Sequence, residues 1–351
     1  MKLFARRVRV AEQADRNGKV DVTVLTPVLN EEAHVRETVA AMQAQDFDGT
    51  VEFLFMDGRS EDATRAILEE LAQADPRIRV IDNPARGIPQ GLNVGLRNAR
   101  GEYVARMDAH THYPRAYLAR GVERLQAGDA GWVAGAPIPA GAGKWSRRVS
   151  AALRSPLGVG GSPKWAAGDE TELDTGVFGG VWRRSTLERL AGWDEDWAVN
   201  EDSELAARFR ATGMRIVGLP ELAARYIPRD SIPGLARQYA RYGYYRAKTA
   251  RRHPSSMRRS LWLPPGLVVT IAAAAVAPRP LRGLARAGVG VYLAALLAAS
   301  ARAEQAQPAD RAALPLVFAT MHASWGAGFV AGAARFGFPL RALGKTLAKS
   351  G

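Results

Sequence analysis

The sequence has no cysteine among its 351 residues, so neither a disulfide framework nor a zinc–thiolate site is possible. It also lacks a long apolar core within residues 1–19, and we therefore expect no cleaved signal peptide there. Acidic residues are outnumbered, with 35 Asp and Glu against 48 Lys and Arg, which gives a formal net charge of +13. A chain of this length can hold one large domain and additional elements.

The excess of basic residues indicates which kind of molecule the protein contacts. Such a charge favours nucleic acid, an anionic membrane or anionic small molecules. The arginines cluster at 241–259, directly before the first long apolar segment, where juxtamembrane basic residues meet anionic lipid. No nucleic-acid-binding motif accompanies them. We therefore expect contact with an anionic membrane surface and no nucleic acid.

The first hundred residues alternate between apolar, β-rich runs and helical patterns. Alternation of this kind predicts an α/β fold with a mostly parallel, doubly wound sheet, which binds ligands at the carboxyl ends of its strands. In contrast, the Gly-, Pro- and Ser-rich stretch 141–169 indicates a mobile loop. The predicted strands are 20–27, 51–56, 78–81 and 103–107, and the predicted helices are 35–42, 62–74, 91–98, 185–191 and 202–211.

Asp108 and His110 follow the fourth predicted strand with one residue between them. A carboxylate and an imidazole placed in this way can bind the same divalent cation, and the imidazole favours Mn²⁺ over Mg²⁺. A pair of solvated loop residues is the alternative interpretation of the same pattern.

Three apolar stretches follow the basic cluster, at 263–277, 289–301 and 312–334. Only the last has a comfortable length for a transmembrane helix, and the first begins with two prolines. If the second and third stretches span the membrane, every strongly basic connection lies on the cytoplasmic side. We therefore expect two spans, with the first stretch at the membrane interface; a helical soluble subdomain is the alternative.

Five motifs occur in one order along the chain, and together they resemble those of the inverting family 2 glycosyltransferases. Within that family the closest likeness is to bacterial exopolysaccharide enzymes of the succinoglycan glucosyltransferase type, which carry DAH in place of DxD. The motifs are TPVLNEE at 26–32, MDGRSEDAT at 56–64, NPARGIPQGLNVGLRNARGEYVARMDAH at 83–110, GVFGGVWRR at 176–184 and NEDSELAARFRATG at 200–213.

The resemblance covers residues 20–255 and implies the nucleotide-sugar-binding, Rossmann-like fold called GT-A. It implies a catalytic domain at 1–258, membrane-associated or transmembrane helices at 259–335 and a basic cytoplasmic tail at 336–351. The expected location is the cytoplasmic membrane of a bacterium, with the catalytic domain facing the cytoplasm.

The resemblance also assigns residues to the donor side of the site. Asp57 would accept the imide N–H of uracil, which fits a UDP-linked sugar, although a turn role explains Asp57 equally well. Arg86 would offer its guanidinium to a phosphate. Asp108 and His110 would hold Mn²⁺ or Mg²⁺ against the diphosphate. The further donor-binding residues implied are Pro27, Asn30, Glu31 and Asn93.

The base expected from the resemblance is Asp202, the second residue of the Glu201-Asp202 pair, with Glu201 binding the acceptor or orienting the site. Acidic residues are also common at a helix N-terminus, where the helix dipole favours negative charge. A purely structural role of the pair is therefore the alternative. The other residues expected on the acceptor side are Phe178, Gly179, Gln238, Arg241 and Tyr242.

Tyr242 stands where processive relatives carry the tryptophan of a QxxRW motif, so single-sugar addition is favoured. The predicted function is metal-dependent transfer of one sugar to a lipid-linked glycan or polyprenyl-phosphate acceptor, with inversion. A processive polysaccharide synthase and a catalytically silent GT-A scaffold are the alternatives.

Overall fold

A computed structural model describes residues 19–162, 169–303 and 306–348 of the chain. The chain falls into two compact units, of which the first, Met1–Ile138 with Ala166–Arg225, is called the sheet unit here. The second, Pro139–Trp165 with Tyr226–Gly351, is called the helical unit. The basic leader, part of the predicted loop 141–169 and the last three residues of the predicted tail lie outside the described residues. The functional boundary expected at residue 258 stays a prediction.

The sheet unit contains an eight-stranded, mostly parallel sheet with the strand order β3-β2-β1-β4-β9-β6-β10-β8. Strand β9 runs antiparallel to both of its neighbours, β4 and β6, and β8 runs antiparallel to β10. The strands are β1 Val22–Val28, β2 Val51–Asp57, β3 Ile78–Asp82, β4 Tyr103–Arg106, β5 Thr111–His112, β6 Ala130–Ala134, β7 Pro137–Pro139, β8 Thr171–Glu172, β9 Gly180–Arg183, β10 Arg215–Gly218 and β11 Ala224–Tyr226. Strands β5, β11 and β7 form a separate three-stranded sheet.

Helices connect strands β1 to β4 as the alternating pattern predicts. They are α1 Val35–Gln43, α2 Thr64–Ala74 and α3 Ile88–Asn98. The next helices along the chain are α4 Tyr117–Gln126, α5 Lys144–Leu153, α6 Pro156–Val159, α7 Arg184–Arg189 and α8 Glu201–Ala211, of which α5 and α6 belong to the helical unit. The prediction of an α/β fold with a mostly parallel central sheet is confirmed. The predicted boundaries differ from those of the structure by a few residues. For example, α3 begins at Ile88 and β4 ends at Arg106.

The sheet has a hydrophobic core on each of its faces because successive side chains of a strand point to opposite sides. Val24 and Phe55 belong to one core cluster, whereas Leu25 and Leu54 belong to the other. Burial on both faces explains why β1 and β2 read as almost continuous apolar runs.

The expectation of a mobile loop at 141–169 is wrong for its first half, where the chain forms α5 and α6. Asp230, far away in sequence, accepts hydrogen bonds from the backbone N–H groups of Trp145 and Ser146 at the start of α5, both 2.7 Å long. Val149 and Leu153 are buried against helices of the same unit. Both contacts are long-range, so local Gly and Ser content could not reveal them.

The helical unit continues with α9 Ile232–Arg252, α10 Leu263–Val276, α11 Arg279–Ala301, α12 Pro308–Phe336 and α13 Leu340–Ala348. Among the residues that the structure describes, three segments are long and apolar enough to cross a membrane: Arg259–Val276, Arg279–Ala301 and Pro308–Phe336. The expectation that only the last has a comfortable length is therefore wrong, because α11 extends well before the apolar run that the sequence suggested.

Shortening a side chain in the centre of the sheet tests the described core. Leu25 in β1 is fully buried, whereas Leu29, just beyond the strand, is 37% exposed. We expect Leu25→Ala to lower the free energy of unfolding by about 2–5 kcal/mol, because it leaves a cavity. The matched Leu29→Ala change should cost less than about 1 kcal/mol. Urea unfolding followed by tryptophan fluorescence measures both, and equal losses would contradict the assigned burial.

Candidate functional site

The loops that follow β1 and β2 are joined by hydrogen bonds at the carboxyl edge of the sheet. The Ser60 hydroxyl donates to Asp57 over 2.6 Å and accepts from the Asn30 backbone N–H over 3.0 Å. Asn30 adopts a left-handed backbone conformation, with φ of 56°, which turns its side chain toward the second loop. There the side-chain amide oxygen of Asn30 accepts from the Glu61 backbone N–H over 2.8 Å. Asp57 is almost fully buried. Its carboxylate also accepts from the Ser60 backbone N–H, which is the turn role given above as the alternative.

Arg86, after β3, joins the same group of loops. Its guanidinium donates two hydrogen bonds, of 3.1 and 3.2 Å, to one oxygen of Glu61. The side chain remains 45% exposed, so an anion could still approach it from solvent. The structure therefore brings together three of the predicted donor-side residues, Asn30, Asp57 and Arg86. Pro27, half-buried near the end of β1, precedes the first of these loops.

Glu31 and His110 form a second contact between strand ends. The Nδ1 atom of His110 lies 3.0 Å from the Glu31 Oε1 atom, and the imidazole is 58% exposed. The Glu31 backbone N–H donates to the Thr64 hydroxyl, at the start of α2, over 2.7 Å. A predicted donor-binding residue and a predicted metal ligand are therefore neighbours.

Arg106, the last residue of β4, connects the motif at 83–110 to the motif at 200–213. Its Nε donates to Asp108 Oδ1 over 2.8 Å, and its Nη1 donates to Glu201 Oε1 over 2.9 Å. The side chains of Arg106, Asp108 and Glu201 are only 4%, 14% and 9% exposed. One buried guanidinium thus holds two carboxylates that are far apart in sequence.

Burial and charge act in opposite directions on the pKa values of this group. Burial works against the charged form of Arg106, yet the attraction of Asp108 and Glu201 raises the pKa of the guanidinium above its ordinary value. Burial raises the pKa of the Glu201 carboxyl, and neighbouring Asp202 adds to this effect while Arg106 opposes it. Arg106 therefore stays a cation, and Glu201 binds a proton more tightly than a solvent-exposed glutamate would.

Asp202 lies beside this ion pair in the first turn of α8, with a carboxylate that is not fully buried. Its Oδ1 atom accepts from the Ser203 backbone N–H over 2.7 Å. Asn200, in front of the helix, has a φ of 63°, which turns the chain sharply into α8. Gly176 of the GVFGG segment packs directly on this turn, since a Cβ there would lie 2.3 Å from the Asp202 carbonyl oxygen.

Gly179 of the GVFGG segment lies near two tyrosines, Tyr113 and Tyr117. The Asp108 backbone N–H donates to the Tyr113 hydroxyl over 3.0 Å. A Cβ at Gly179 would lie 2.9 Å from the Tyr117 hydroxyl, so glycine permits the close approach to Tyr117. Burial, followed by the Asp108 charge, raises the pKa of Tyr113 well above its ordinary value. Phe178, predicted on the acceptor side, is half-buried in the same segment.

Asn93 is placed differently from the other predicted donor residues. Its side-chain amide donates to the Trp193 carbonyl and to Glu195, and its oxygen accepts from the Trp193 N–H. These contacts fix the loop in front of α8, and binding of the donor by Asn93 stays a prediction.

Gln238, Arg241 and Tyr242 belong to α9 of the helical unit, where Gln238 donates to the Tyr242 hydroxyl over 3.0 Å. Arg241 is exposed on the same helix. Their expected acceptor role stays a prediction.

Arg106, Ser60 and Tyr113 are site residues that the sequence patterns did not identify. For Arg106 a signal existed, because an arginine in the otherwise apolar strand YVARM must be paired if it is buried. Ser60 and Tyr113 offered no comparable signal, since serine after Asp-Gly and tyrosine after a strand are common loop residues.

Asp108 and His110 carry side chains of types that divalent cations accept, and their role as metal ligands stays a prediction. Carboxylate oxygen suits Mg²⁺ and Mn²⁺, and such ions are often bound by one or two protein ligands together with substrate phosphates. Within residues 19–162, 169–303 and 306–348, no group of three or more His, Asp or Glu side chains is arranged to hold a metal.

Removing the buried cation tests the Arg106 connection. We expect Arg106→Met to lower the free energy of unfolding by about 3–5 kcal/mol, because Asp108 and Glu201 would stay buried without a partner. Arg106 opposes the rise in the pKa of Glu201, so in the variant that pKa should rise further, and the stability of the variant should fall more steeply than that of the wild type as pH rises. The loss should therefore grow between about pH 5 and pH 8.

The control for this variant is Arg36→Met, which removes an exposed ion pair with Glu70. It should cost less than about 1 kcal/mol at either pH. Urea unfolding at the two pH values compares the variants, and a loss for Arg106→Met as small as that of the control would contradict the buried ion pair.

Comparison with known proteins shows the family and the fold. Residues 23–179 match the model of the family described as Glycosyl transferase family 2. The mannosyltransferase from Pyrobaculum calidifontis, solved in complex with GDP-Man and Mn²⁺, superposes with a TM-score of 0.54 at 21% sequence identity. The match covers 95% of this chain and 88% of that chain, and it shows a shared GT-A fold.

Curated relatives are similar over much of their length. The dolichyl N-acetyl-alpha-D-glucosaminyl phosphate glucuronosyltransferase of Methanococcus voltae is 25% identical over 70% of this chain and 77% of its own. The succinoglycan biosynthesis protein ExoA of Rhizobium meliloti is 31% identical over 87% of this chain and 93% of its own. The family resemblance of the five motifs is thereby confirmed, and the chain belongs to glycosyl transferase family 2 and is a glycosyltransferase.

Proposed function

We propose that this glycosyltransferase moves one sugar, with inversion, from a nucleotide-sugar donor to a lipid-linked acceptor in the synthesis of a surface or extracellular polysaccharide. The observation that carries the proposal is the buried ion pair of Arg106 with Asp108 and Glu201, beside Asp202. It ties the end of β4, where a diphosphate would be bound, to the start of α8, where a base is needed.

The donor side is supported by the hydrogen-bonded loops after β1, β2 and β3. In an open α/β sheet, nucleotides bind outside the carboxyl ends of the strands. Arg86 is exposed enough to offer its guanidinium to a phosphate. Asp57 would accept the imide N–H of uracil, which favours UDP. The Pyrobaculum calidifontis mannosyltransferase was solved with GDP-Man, so a guanine nucleotide is the second candidate.

Asp108 and His110 would hold Mn²⁺ or Mg²⁺ on this side of the site. A bound divalent cation supplies a Lewis acid that neutralises the charge developing on the leaving diphosphate. Arg106 keeps the Asp108 carboxylate oriented through two hydrogen bonds, of 2.8 and 3.3 Å. The Tyr113 hydroxyl, which accepts from the Asp108 N–H, further fixes the backbone at this residue.

Asp202 is the proposed base. It would take the proton from the acceptor hydroxyl while that oxygen attacks the anomeric carbon from the face opposite the diphosphate. Glu201 points to Arg106 and is buried, so it is less suited to meet an acceptor. Gly176 lets the GVFGG backbone approach Asp202 closely, and Phe178 of the same segment would contact a sugar.

A lipid-linked glycan or polyprenyl phosphate is the proposed acceptor. Three apolar helices suggest association with a membrane, and α9 carries a row of cations, including Arg241, that suits an acceptor with phosphate groups. The names of the Rhizobium meliloti and Methanococcus voltae relatives, which refer to succinoglycan biosynthesis and to a dolichyl-linked sugar phosphate, agree with this class.

Replacing the proposed base should separate binding from chemistry. We expect Asp202→Asn to bind nucleotide as the wild type does, while the rate of transfer falls by about 10²–10⁴-fold, because the acceptor hydroxyl loses its proton acceptor. The measurement is release of nucleoside diphosphate from UDP-glucose and GDP-mannose with polyprenyl phosphate as acceptor. Asp196→Asn, in the exposed loop before α8, is the matched control. Equal rates for Asp202→Asn and wild type would remove Asp202 as the base.

Replacing Asp108 should affect the metal. We expect calorimetric titration of the detergent-solubilised enzyme with UDP and with GDP to detect binding that requires Mn²⁺. Asp108→Asn should lose this requirement together with most of the affinity, because a neutral amide is a poorer ligand for a divalent cation. Unchanged Mn²⁺-dependent binding in the variant would contradict the assignment of Asp108. The absence of binding of either nucleotide to folded wild-type protein would favour a silent scaffold.

A further inference from the structure

We infer that Asn93 is a positioning residue for sugar transfer. It fixes residues 192–200, here called the pre-α8 loop, and thereby the place at which α8 and Asp202 begin. This inference rests on the proposed function, in which Asp202 is the base. It gives Asn93 a role other than the donor binding that the resemblance implied. Asn93, the loop and α8 all belong to the sheet unit.

The side-chain amide of Asn93, in α3, is occupied on both its nitrogen and its oxygen. The nitrogen donates to the Trp193 carbonyl oxygen over 2.7 Å and to a Glu195 carboxylate oxygen over 2.9 Å. The oxygen accepts from the Trp193 backbone N–H over 2.9 Å. An amide nitrogen has two hydrogens, so Asn93 has none left for a phosphate or ribose oxygen. Asn93 is also only 8% exposed, which keeps a ligand away from it.

Asn93 serves both backbone groups of Trp193, as a neighbouring β-strand would. Buried backbone N–H and C=O groups need such partners, and Trp193 is only 2% exposed. The contact also requires the glycine before Trp193. Gly192 has a φ of 66°, and a Cβ there would lie 2.3 Å from the Asn93 side-chain oxygen. The amide and the backbone that receives it are therefore matched to each other.

The base of the loop is held by two further side chains. Gln90, in the first turn of α3, donates to the Glu195 carbonyl oxygen over 2.9 Å. Arg208 of α8 donates to the carbonyl oxygen of Gly192 over 2.8 Å and also to that of Leu190. Helices α3 and α8 are therefore connected through the backbone of this loop.

Two buried tryptophans anchor the loop in the core. The Trp193 ring meets that of Trp182 in β9 edge to face, with 5.7 Å between the ring centroids. Trp197 is 1% exposed, and its backbone N–H donates to the Asp194 carbonyl oxygen over 3.1 Å, which closes a turn. Through Trp193 the loop is packed on β9, the strand that directly follows the GVFGG segment.

The chain has a left-handed backbone at both ends of the loop. Ala191, just before the loop, has a φ of 57°, and Asn200, its last residue, has a φ of 63°. For residues other than glycine this conformation is unfavourable, and it persists where the surrounding contacts impose it. Asn200 leads directly into the first turn of α8, which contains Asp202. The contacts that fix the loop therefore also fix the place of Asp202.

The predicted donor side is held together by other contacts. Ser60 joins Asn30 to Asp57, and Glu61 joins Asn30 to Arg86. A loosened pre-α8 loop should therefore leave the nucleotide affinity unchanged. It should slow the transfer step, because a reacting group displaced by about 1 Å can cost about 100-fold in rate.

Asn93→Ala and the matched control Asn98→Ala separate the two roles. Asn98 lies at the exposed end of the same helix, where its amide donates to the Val94 carbonyl oxygen. Calorimetric titration with UDP and with GDP in the presence of Mn²⁺ measures nucleotide affinity. Release of nucleoside diphosphate from UDP-glucose and GDP-mannose measures transfer to polyprenyl phosphate. We expect Asn93→Ala to bind nucleotide as the wild type does and to lower kcat by about 10–100-fold, whereas Asn98→Ala changes neither.

Asn93→Asp tests the direction of the hydrogen bonds. The isosteric change keeps an acceptor for the Trp193 N–H, but it sets a carboxylate oxygen against the Trp193 carbonyl oxygen and the Glu195 carboxylate. We therefore expect slower transfer by Asn93→Asp than by Asn93→Ala. Adding Glu195→Gln should raise the rate above that of Asn93→Asp alone, because the introduced carboxylate then accepts from an amide. A general loss of stability would not be rescued by a change at an exposed second residue.

Amide hydrogen exchange reports the same contact without any activity. The Trp193 N–H is bonded to a buried oxygen, so its exchange should be slow in the wild type. We expect a peptide that covers residues 190–197 to exchange faster in Asn93→Ala and at the wild-type rate in Asn98→Ala. Equal exchange in all three proteins would contradict the contact.

The other contrary results are distinct from one another. Loss of nucleotide affinity in Asn93→Ala would return Asn93 to the donor side, and wild-type transfer by this variant would remove its positioning role. If Asn93→Ala folds poorly, Gln90→Ala removes a second contact of the loop, and unchanged transfer there would contradict the inference. A wild type that releases no nucleoside diphosphate would instead contradict the proposed function.

Discussion

Arg106 keeps its positive charge in a place that little water reaches, and the two carboxylates around it make this possible. The cost of removing an arginine from water is offset only if its hydrogen bonds are made well. Asp108 and Glu201 make them from two different parts of the chain, the end of β4 and the start of α8. The position of α8, and of Asp202 within it, therefore depends on the same interaction that orients Asp108.

The large sheet explains why the donor side of the site can be built from short loops. Parallel strands end at the same edge, so residues after β1, β2 and β3 meet without long excursions of the chain. Ser60 links the first two loops, and Glu61 links both to Arg86. The acceptor side is organised differently. There, Gly176 allows a backbone segment to lie against Asp202, and Gly179 allows the same segment to lie against Tyr117.

The helical unit shows that apolar composition and membrane exposure are separate properties. Helix α12 is long and apolar enough to cross a bilayer, yet its glycines lie against the backbone of the strongly basic α9. An apolar helix can bury its surface against protein as well as against lipid. In α12, Asp310 and His322 make contacts of this kind with α5 and α6.

The sequence by itself determined the alternation of strands and helices, the family and the motif residues at the strand ends, because hydrophobic periodicity and short motifs are local properties. The tertiary structure decided what those patterns could not specify. It paired Arg106 with Glu201 across 95 residues, and it gave α5 a helix start through Asp230. It also engaged the amide of Asn93 with Trp193. Each is a contact between residues distant in sequence, and such contacts exist only once the chain has folded.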